Sequence, residues 1–232
     1  MVTSFKPAHG RKRAVAASSD RRQRHSAEIR ERLFRSALAL FAKKGFAETT
    51  VEDITEAADV GKGTFFNYFP SKDHILIAFG EMQLAKLEAA VEAARRTNEP
   101  MPQFLGSLGV RMTEEPTRNP EIIRALLQAY LSTTPVREAM LDLQKRVLAI
   151  HTQMIRLGQE QGQIRNDLPA EEIAYVFRQT IFGTLLIWSL HADATLHARM
   201  EAAFNLLWTG MAPRSDLRFP PAGSFPRART GS

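Results

Sequence analysis

The residues whose types and spacing predict chemistry fall within one short stretch, residues 50–73. Small, polar and basic side chains recur there at helical spacing, which places several of them on one face of a helix. Such a face fits the major groove of DNA, and lysines beside it bind phosphates. Glycines near the helix start also leave its N–H groups open to a phosphate. The candidate DNA-binding residues are Thr50, Gly61, Lys62, Gly63, Thr64, Asn67, Tyr68 and Lys72.

No comparable pattern predicts catalysis. The chain has no cysteine, which excludes disulfides, thiolate metal sites and cysteine nucleophiles. The six histidines show no HExxH-type spacing, and there is no Gly-x-Ser-x-Gly or dinucleotide-binding pattern. The run Gly61–Thr64 is similar to part of a phosphate-binding loop, but Glu56 stands where the first glycine of that loop must be. We therefore expect a protein that is not an enzyme and holds no metal and no cofactor.

Two short helices position the candidate residues. Thr50 and Asp53 form a capping-box pattern, with Asp in place of the usual Glu, which predicts the start of the first helix. A tight turn separates it from a second helix over residues 62–68, on which Phe65 and Phe69 face inward. Two helices joined by a tight turn are the arrangement of a helix-turn-helix DNA-binding motif.

The rest of the chain is predicted to consist of consecutive helices, because in no segment do apolar and polar residues alternate with period two for long enough to predict a strand. Apolar residues follow the helical period from Ser26, an N-cap residue type, to a stop at Gly45. The further helices are predicted over residues 71–96, 101–112, 120–132, 135–161, 169–191 and 195–210. The sequence therefore predicts an all-α fold of about nine helices.

Positive charge is concentrated in the two tails. The whole chain has 31 lysines and arginines against 25 acidic residues, a net charge of +6. Residues 1–25 alone carry +6 and residues 213–232 carry +3, so the body between them is slightly acidic. Both tails lack apolar periodicity, which predicts disorder. Basic tails either bind nucleic acid or stay solvated, and we predict that residues 6–24 add phosphate contacts.

The motif residues resemble one known family. The run ITEAADVGKGTFFNYFPSKDHIL resembles the DNA-binding domain of the tetracycline-repressor (TetR) family, whose hallmark is Lys-Gly-x-aromatic-aromatic-x-Tyr/His-Phe followed by Ser-Lys-Asp/Glu. The upstream run LALFAKKGFAETTVEDI is similar to that family's first helix and Gly-Phe turn, so the resemblance covers roughly residues 28–80. It implies an all-α homodimer that binds double-stranded operator DNA through the candidate residues and is released by a small-molecule effector.

With this resemblance the chain divides into four parts. We predict a disordered basic arm over residues 1–25, a helix-turn-helix domain over 26–75, a helical ligand-binding and dimerisation domain over 76–212, and a disordered tail over 213–232. The longest strongly apolar stretch, Ile181–Leu190, is about half of what a bilayer-spanning helix needs, so we expect no membrane partner. Without an apolar secretory segment at its N-terminus, the chain is expected to be cytoplasmic.

The resemblance also implies an effector cavity and a dimer interface in the C-terminal part. A cavity between the helix over 71–96 and those over 102–161 has mostly apolar candidates, which suit a hydrophobic or aromatic effector. The candidate lining is Phe104, Leu108, Met112, Leu127, Gln128, Tyr130, His151, Met154, Gln179 and Phe182. The last two helices are predicted to pair across a two-fold axis through Phe177, Ile181, Leu185, Trp188, Phe204, Leu207 and Trp208. The alternative for both sets is ordinary intramolecular core.

Two functions therefore stay open at this point. The first is a ligand-responsive, DNA-binding transcriptional regulator, in the family's usual form a repressor released by a small hydrophobic or aromatic effector. The second is a helical protein that binds a small molecule without useful DNA binding. The intact Lys62, Thr64, Tyr68 and Lys72 favour the first.

Overall fold

The protein is known from a computed structural model, which describes residues 9–97, 99–112, 119–131, 134–191 and 195–213. Every regular element within these ranges is an α-helix, so the predicted fold class is confirmed. The helices are α1 (His9–Lys44), α2 (Val51–Ala57), α3 (Lys62–Phe66), α4 (Asp73–Thr97), α5 (Met101–Met112), α6 (Pro120–Tyr130), α7 (Thr134–Glu160), α8 (Ala170–His191) and α9 (Leu196–Met211).

Helix α1 begins much earlier than the sequence analysis expected. The predicted start was Ser26, but α1 runs unbroken through that position from His9, so the disorder predicted over residues 9–25 was wrong. Arginine and alanine are frequent in this segment, with five and three residues, and both have high intrinsic helix propensity. No proline interrupts it. Residues 1–8 and 214–232 lie outside the described residues, so the disorder predicted for them stays a prediction.

One apolar core joins the helix-turn-helix unit to the helices that follow it. Phe41 of α1 and Phe65 of α3 are fully buried in this core, which continues through Phe79 of α4 to buried residues of α6 and α7. Burying each such side chain stabilises the fold by about 1.5–3 kcal/mol. Helix α6 also contacts the end of α1, where Asn119 Nδ2 donates to the Ala42 carbonyl at 3.4 Å. The helix-turn-helix unit is therefore packed directly against the body.

A second core fills the half of the body remote from α3. It contains Leu87 of α4, Phe104 of α5, Ile155 of α7 and Phe177 of α8, and side chains of α9 close it. Helix α8 is long and apolar enough to cross a membrane by length and composition alone, a test that core helices also pass. Here α8 packs against α6, α7 and α9, so it is the central helix of the body.

Close packing at Gly158 of α7 gives a test of this second core. A Cβ atom placed there would lie 2.6 Å from Ile164 Cδ1 and 3.2 Å from Met101 Cγ. We expect Gly158→Ala to cost about 1–2 kcal/mol, because overpacking outweighs the gain in helix propensity. Urea unfolding at fixed protein concentration measures this effect.

The matched control is Gly106→Ala in α5, where the added methyl group would lie 3.5 Å from Phe204, an ordinary contact. This variant should gain up to about 1 kcal/mol, because alanine favours the helix over glycine. Equal unfolding midpoints for the two variants would contradict the packing described for Gly158.

Candidate functional sites

Helix α2 begins at a complete capping box, as the sequence predicted. The Asp53 N–H donates to Thr50 Oγ1 at 3.1 Å, and the Thr50 N–H donates to Asp53 Oδ2 at 2.8 Å. Hydrogen bonds from Lys44, at 2.6 Å, and from Thr50 hold the pKa of the Asp53 carboxyl well below its usual range. The cap fixes the start of α2 and leaves the Thr50 side of the helix exposed.

Helix α3 presents one open face and buries the other. Phe65 and Phe69 are buried, as expected, and anchor the helix in the first core. A Cβ atom at Gly61 or Gly63 would meet nothing within 4 Å, so another molecule has room to approach the backbone there. The helix is shorter than predicted and ends at Phe66. Its accessible side holds Gly61, Lys62, Gly63, Asn67 and the half-buried Thr64.

Lys62, at the start of α3, forms an ion pair with Glu52 of α2. Both side chains are more than half exposed, and the hydrogen bond from Lys62 lowers the pKa of Glu52. An exposed pair of this kind adds little stability. The ion pair therefore holds the Lys62 ammonium group beside α3 while leaving it accessible to solvent.

Tyr68 follows α3 and reaches back to α1, where its hydroxyl lies 3.1 Å from Ser26 Oγ. The two residues line a shallow pocket together with Arg22 and Arg30. The Arg30 guanidinium carbon lies 5.2 Å from the centre of the Phe69 ring. The sequence analysis did not select Arg30 and included Arg22 only as one of the basic residues of the segment 6–24. The nearness of both residues to Tyr68 depends on how α1 crosses the helix-turn-helix unit.

Lys72 has a different environment from Lys62. Its ammonium group donates to the carbonyls of Phe46, Ala47 and Thr49 at 2.8, 3.2 and 2.9 Å, and it lies 4.5 Å from the centre of the Phe46 ring. An ammonium group has three N–H donors, and all three are used here. Lys72 therefore binds the carbonyls of the turn between α1 and α2, whereas the sequence analysis had predicted a phosphate contact.

A cavity of about 190 Å³ lies between α4, α6, α7 and α8. Its walls are mostly apolar, with five polar side chains from α4, α6, α7 and α8. The lining residues are Phe79, Gly80, Gln83, Leu84, Leu87, Leu108, Ile123, Leu126, Leu127, Tyr130, Met140, Leu143, Gln144, Val147, His151, Arg178, Ile181, Phe182, Leu185 and Met200. Small-molecule sites commonly have this composition of apolar walls with a few polar groups.

The cavity contains half of the residues predicted to line it. Those present are Leu108, Leu127, Tyr130, His151 and Phe182. Phe104 and Met154 are buried in the second core instead, and Gln128 and Gln179 are exposed. The side chain of Met112 lies outside the described residues. The α4 residues were missed, although Gln83 lies at helical spacing between Phe79 and Leu87, which offered a signal.

Hydrogen bonds join three of the five polar side chains of the cavity. Arg178 Nη1 donates to Gln144 Oε1 at 2.7 Å, and Gln144 Nε2 donates to the Tyr130 oxygen. Burial, and to a lesser extent the Arg178 charge, lowers the pKa of His151 to about 4, so its imidazole is neutral at pH 7. Gln83, His151 and Arg178 each have a buried side-chain nitrogen or oxygen without a hydrogen-bond partner.

The exposed apolar surface of α8 and α9 differs from the predicted dimer face. Phe177 and Trp188 are buried within the protomer, and Ile181 and Leu185 line the cavity. Phe204, Leu207 and Trp208 are half-buried against the second core. The exposed large apolar residues of these two helices are instead Tyr175, Val176, Phe182, Ile187, Leu190 and Leu206.

Comparison with known proteins agrees with these features. Residues 33–79 match the family described as bacterial regulatory proteins, tetR family. FadR of Thermus thermophilus, a TetR-family transcriptional repressor solved in complex with lauroyl-CoA, is 30% identical; the match covers 83% of this chain and 98% of FadR, with a TM-score of 0.62. The regulator TcmR of Streptomyces glaucescens is 29% identical over 87% of this chain and 91% of its own length.

A third relative extends the same result. The transcriptional repressor KstR of Mycobacterium tuberculosis is 25% identical over 84% of this chain and 87% of its own length. These matches span the helix-turn-helix unit and the body that encloses the cavity. The chain therefore belongs to the TetR family of bacterial transcriptional regulators and is a ligand-responsive, DNA-binding repressor.

Proposed function

We propose that this repressor leaves its operator when an elongated, mostly apolar effector enters the cavity between α4, α6, α7 and α8. The observation that carries the proposal is the apolar lining of that cavity. Along α4 the lining runs from Phe79 to Leu87, which corresponds to a length of about 12 Å at the helical rise. Each methylene group that an effector buries there contributes about 0.8 kcal/mol to binding.

The likeness to FadR supports an acyl chain as the apolar part of the effector. That repressor was solved in complex with lauroyl-CoA, whose acyl group is a straight saturated chain. A chain of this kind fits an elongated apolar cavity better than a compact aromatic molecule does. We therefore narrow the predicted hydrophobic or aromatic effector to a molecule with an acyl-like chain.

Helices α4 and α6 are the route from the cavity to the DNA-binding surface. Phe79 lines the cavity and is also buried in the core that holds Phe65 of α3. Helix α6 contributes Leu127 to the cavity wall, and Asn119 at its N-cap donates to the end of α1. An effector that binds better when these helices shift moves the population away from the DNA-binding state, by at most its differential affinity.

We further propose that the protein acts as a cytoplasmic homodimer paired through α8 and α9. The exposed apolar residues of these helices include Ile187, Leu190 and Leu206, which need a partner surface. A Cβ atom at Gly183 would meet nothing within 4 Å in the protomer, so another helix can approach closely there. A dimer reading successive major grooves holds its two α3 helices about 34–36 Å apart, a spacing that the effector changes.

The operator-binding residues that we propose surround α3. Lys62, Tyr68 and the backbone at Gly61 and Gly63 approach the DNA, with Thr50 at the start of α2 on the same surface. Thr64 and Asn67 are the candidates for base contacts. Arg22 and Arg30 join this set because they line the pocket beside Tyr68. Lys72 acts indirectly, by holding the α1–α2 turn.

Two lysine variants separate DNA contact from folding. Lys62→Ala removes a phosphate ligand from an exposed side chain, so we expect operator affinity to fall about tenfold or more with an unchanged unfolding temperature and dimer mass. Lys72→Ala leaves three carbonyls without their donor and should lower both affinity and stability. Fluorescence anisotropy and thermal unfolding measure the two effects.

Tyr68→Phe serves as a matched variant, because it keeps the ring and removes only the hydroxyl that lies near Ser26. It should weaken operator binding and preserve the fold. If Lys62→Ala or Tyr68→Phe dissociated the dimer, the residue concerned would be a folding residue and not a DNA contact.

The N-terminal part of α1 gives a prediction about salt. Arg21, Arg22 and Arg24 are exposed on α1, and Arg22 lines the pocket beside Tyr68, whereas residues 26–75 carry a net charge of −1. Replacing the three arginines by glutamine should flatten the dependence of log affinity on log salt by about 0.9 per lost phosphate contact, or about 2–3 per subunit. Affinity titrations at several salt concentrations on one operator measure this slope.

The control is Arg95→Gln with Arg96→Gln at the far end of α4, which removes charge away from α3. Its salt slope should equal that of the wild type. Equal slopes for the wild type and the triple variant would mean that this part of α1 does not touch phosphates.

A cavity-filling variant tests the effector site. Leu127→Trp places an indole where the effector chain would lie, so operator binding should persist while release by dodecanoate, dodecan-1-ol or lauroyl-CoA is lost. Leu131→Trp is the control, because Leu131 follows α6 but is 88% exposed. Release that survives in Leu127→Trp would place the effector elsewhere.

A further inference from the structure

We propose that the effector carries a carboxylate at one end of its apolar chain, and that Arg178 binds this carboxylate inside the cavity with help from Tyr130 and Gln83. This inference rests on the proposed function, since it concerns the same cavity. It adds a charged group to the effector and names the residues that recognise it. The reasons are the charge of the cavity, the direction of its hydrogen bonds and its size.

Arg178 gives the cavity an uncompensated positive charge. None of the lining residues is an aspartate or a glutamate, and His151 is neutral. Among the described residues, no carboxylate lies within ion-pair distance of Arg178; its guanidinium carbon lies 5.2 Å from the centre of the Tyr175 ring. Arg178 is half-buried, and a partly desolvated cation without a counter-ion is costly. A bound anion removes that cost.

The hydrogen bonds of the cavity leave donors available. Arg178 donates to Gln144, and Gln144 donates to the Tyr130 oxygen. Since that oxygen accepts a hydrogen bond, the Tyr130 hydroxyl proton is available to a ligand. Arg178 Nε and Gln83 Nε2 are buried donors without partners. The cavity therefore has a guanidinium, a phenol and an amide donor in its lining, and donors of this kind suit the two oxygens of a carboxylate.

The size of the cavity and its single charge favour a carboxylate over other acceptors. A volume of about 190 Å³ suits a chain with a small head group, whereas the nucleotide part of a coenzyme A ester would have to lie outside the cavity. A phosphate monoester carries nearly two charges at pH 7, whereas Arg178 is the only cation in the lining. A neutral alcohol or ester would leave the Arg178 charge uncompensated. The ligand class is therefore a monocarboxylate with an apolar chain.

Binding of matched twelve-carbon probes to the full-length protein tests this proposal. We expect dodecanoate to bind at least tenfold more tightly than dodecan-1-ol or lauroyl-CoA, measured by titration calorimetry and by release of operator DNA. Arg178→Met keeps the length of the side chain and removes its charge. It should weaken dodecanoate binding about 10- to 100-fold and leave dodecan-1-ol binding unchanged.

Two further variants keep the test informative if Arg178→Met folds poorly. Gln83→Leu removes a buried amide without partners, so the ligand-free protein should become more stable while dodecanoate binding weakens. A Gln83 with only a structural role would leave the ratio of acid to alcohol affinity unchanged. Arg146→Met is the control, because Arg146 of α7 is exposed and pairs with Glu81 outside the cavity.

The outcomes separate this inference from the proposed function. If dodecan-1-ol or lauroyl-CoA binds as tightly as dodecanoate and releases the operator, the apolar effector site stands and the carboxylate inference is overturned. An affinity ratio that is unchanged in both Arg178→Met and Gln83→Leu also overturns it. If none of the probes binds, both proposals fail.

Discussion

The burial of Phe79 is the interaction on which the rest of the structure depends. This side chain is fully buried in the core that holds the helix-turn-helix unit, and it also lines the cavity of the body. Protein cores are packed to crystal-like density, so a change on the cavity side of α4 cannot be absorbed locally. The orientation of α3 and the contents of the cavity therefore share one set of contacts. A ligand-responsive repressor needs such a physical link.

Basic residues in this protein differ in function according to what their neighbours supply. Three carbonyls satisfy Lys72, which therefore stabilises the turn that it caps. Lys62 has one exposed carboxylate as a partner, and a phosphate can replace it at little cost. Arg178 has an amide partner but no anion, and it lies in a mostly apolar cavity. The same charge therefore stands in three different environments, and on that basis we propose DNA binding for Lys62 and ligand recognition for Arg178, beside the structural contacts of Lys72.

The charge around α3 is balanced by basic residues of α1. The predicted helix-turn-helix domain, residues 26–75, has a net charge of −1, a poor overall match to a polyanion. The helical extension of α1 carries Arg21, Arg22 and Arg24 and continues directly into the part of α1 that packs against α2 and shares the first core with α3. A continuous helix holds these charges at a more constant distance from the DNA-facing surface than a flexible arm does. The length of α1 is therefore relevant to affinity as well as to fold.

The sequence by itself determined the all-α class and the order of the helices, though not the start of α1 or the end of α3. It also determined the capping box of Thr50 and Asp53 and the family, because these depend on local spacing and on a contiguous motif. Only the tertiary structure decided which helix faces line the cavity. Gln128 and Gln179 point to solvent, whereas Gln83 and Arg178 line the cavity, although all four lie on amphipathic or apolar helices. Periodicity identifies an apolar stripe but does not say what covers it, because the crossing of distant helices sets that contact. For the same physical reason Phe177 and Trp188 pack inside the protomer, and Lys72 meets carbonyls that lie more than twenty residues away in the chain.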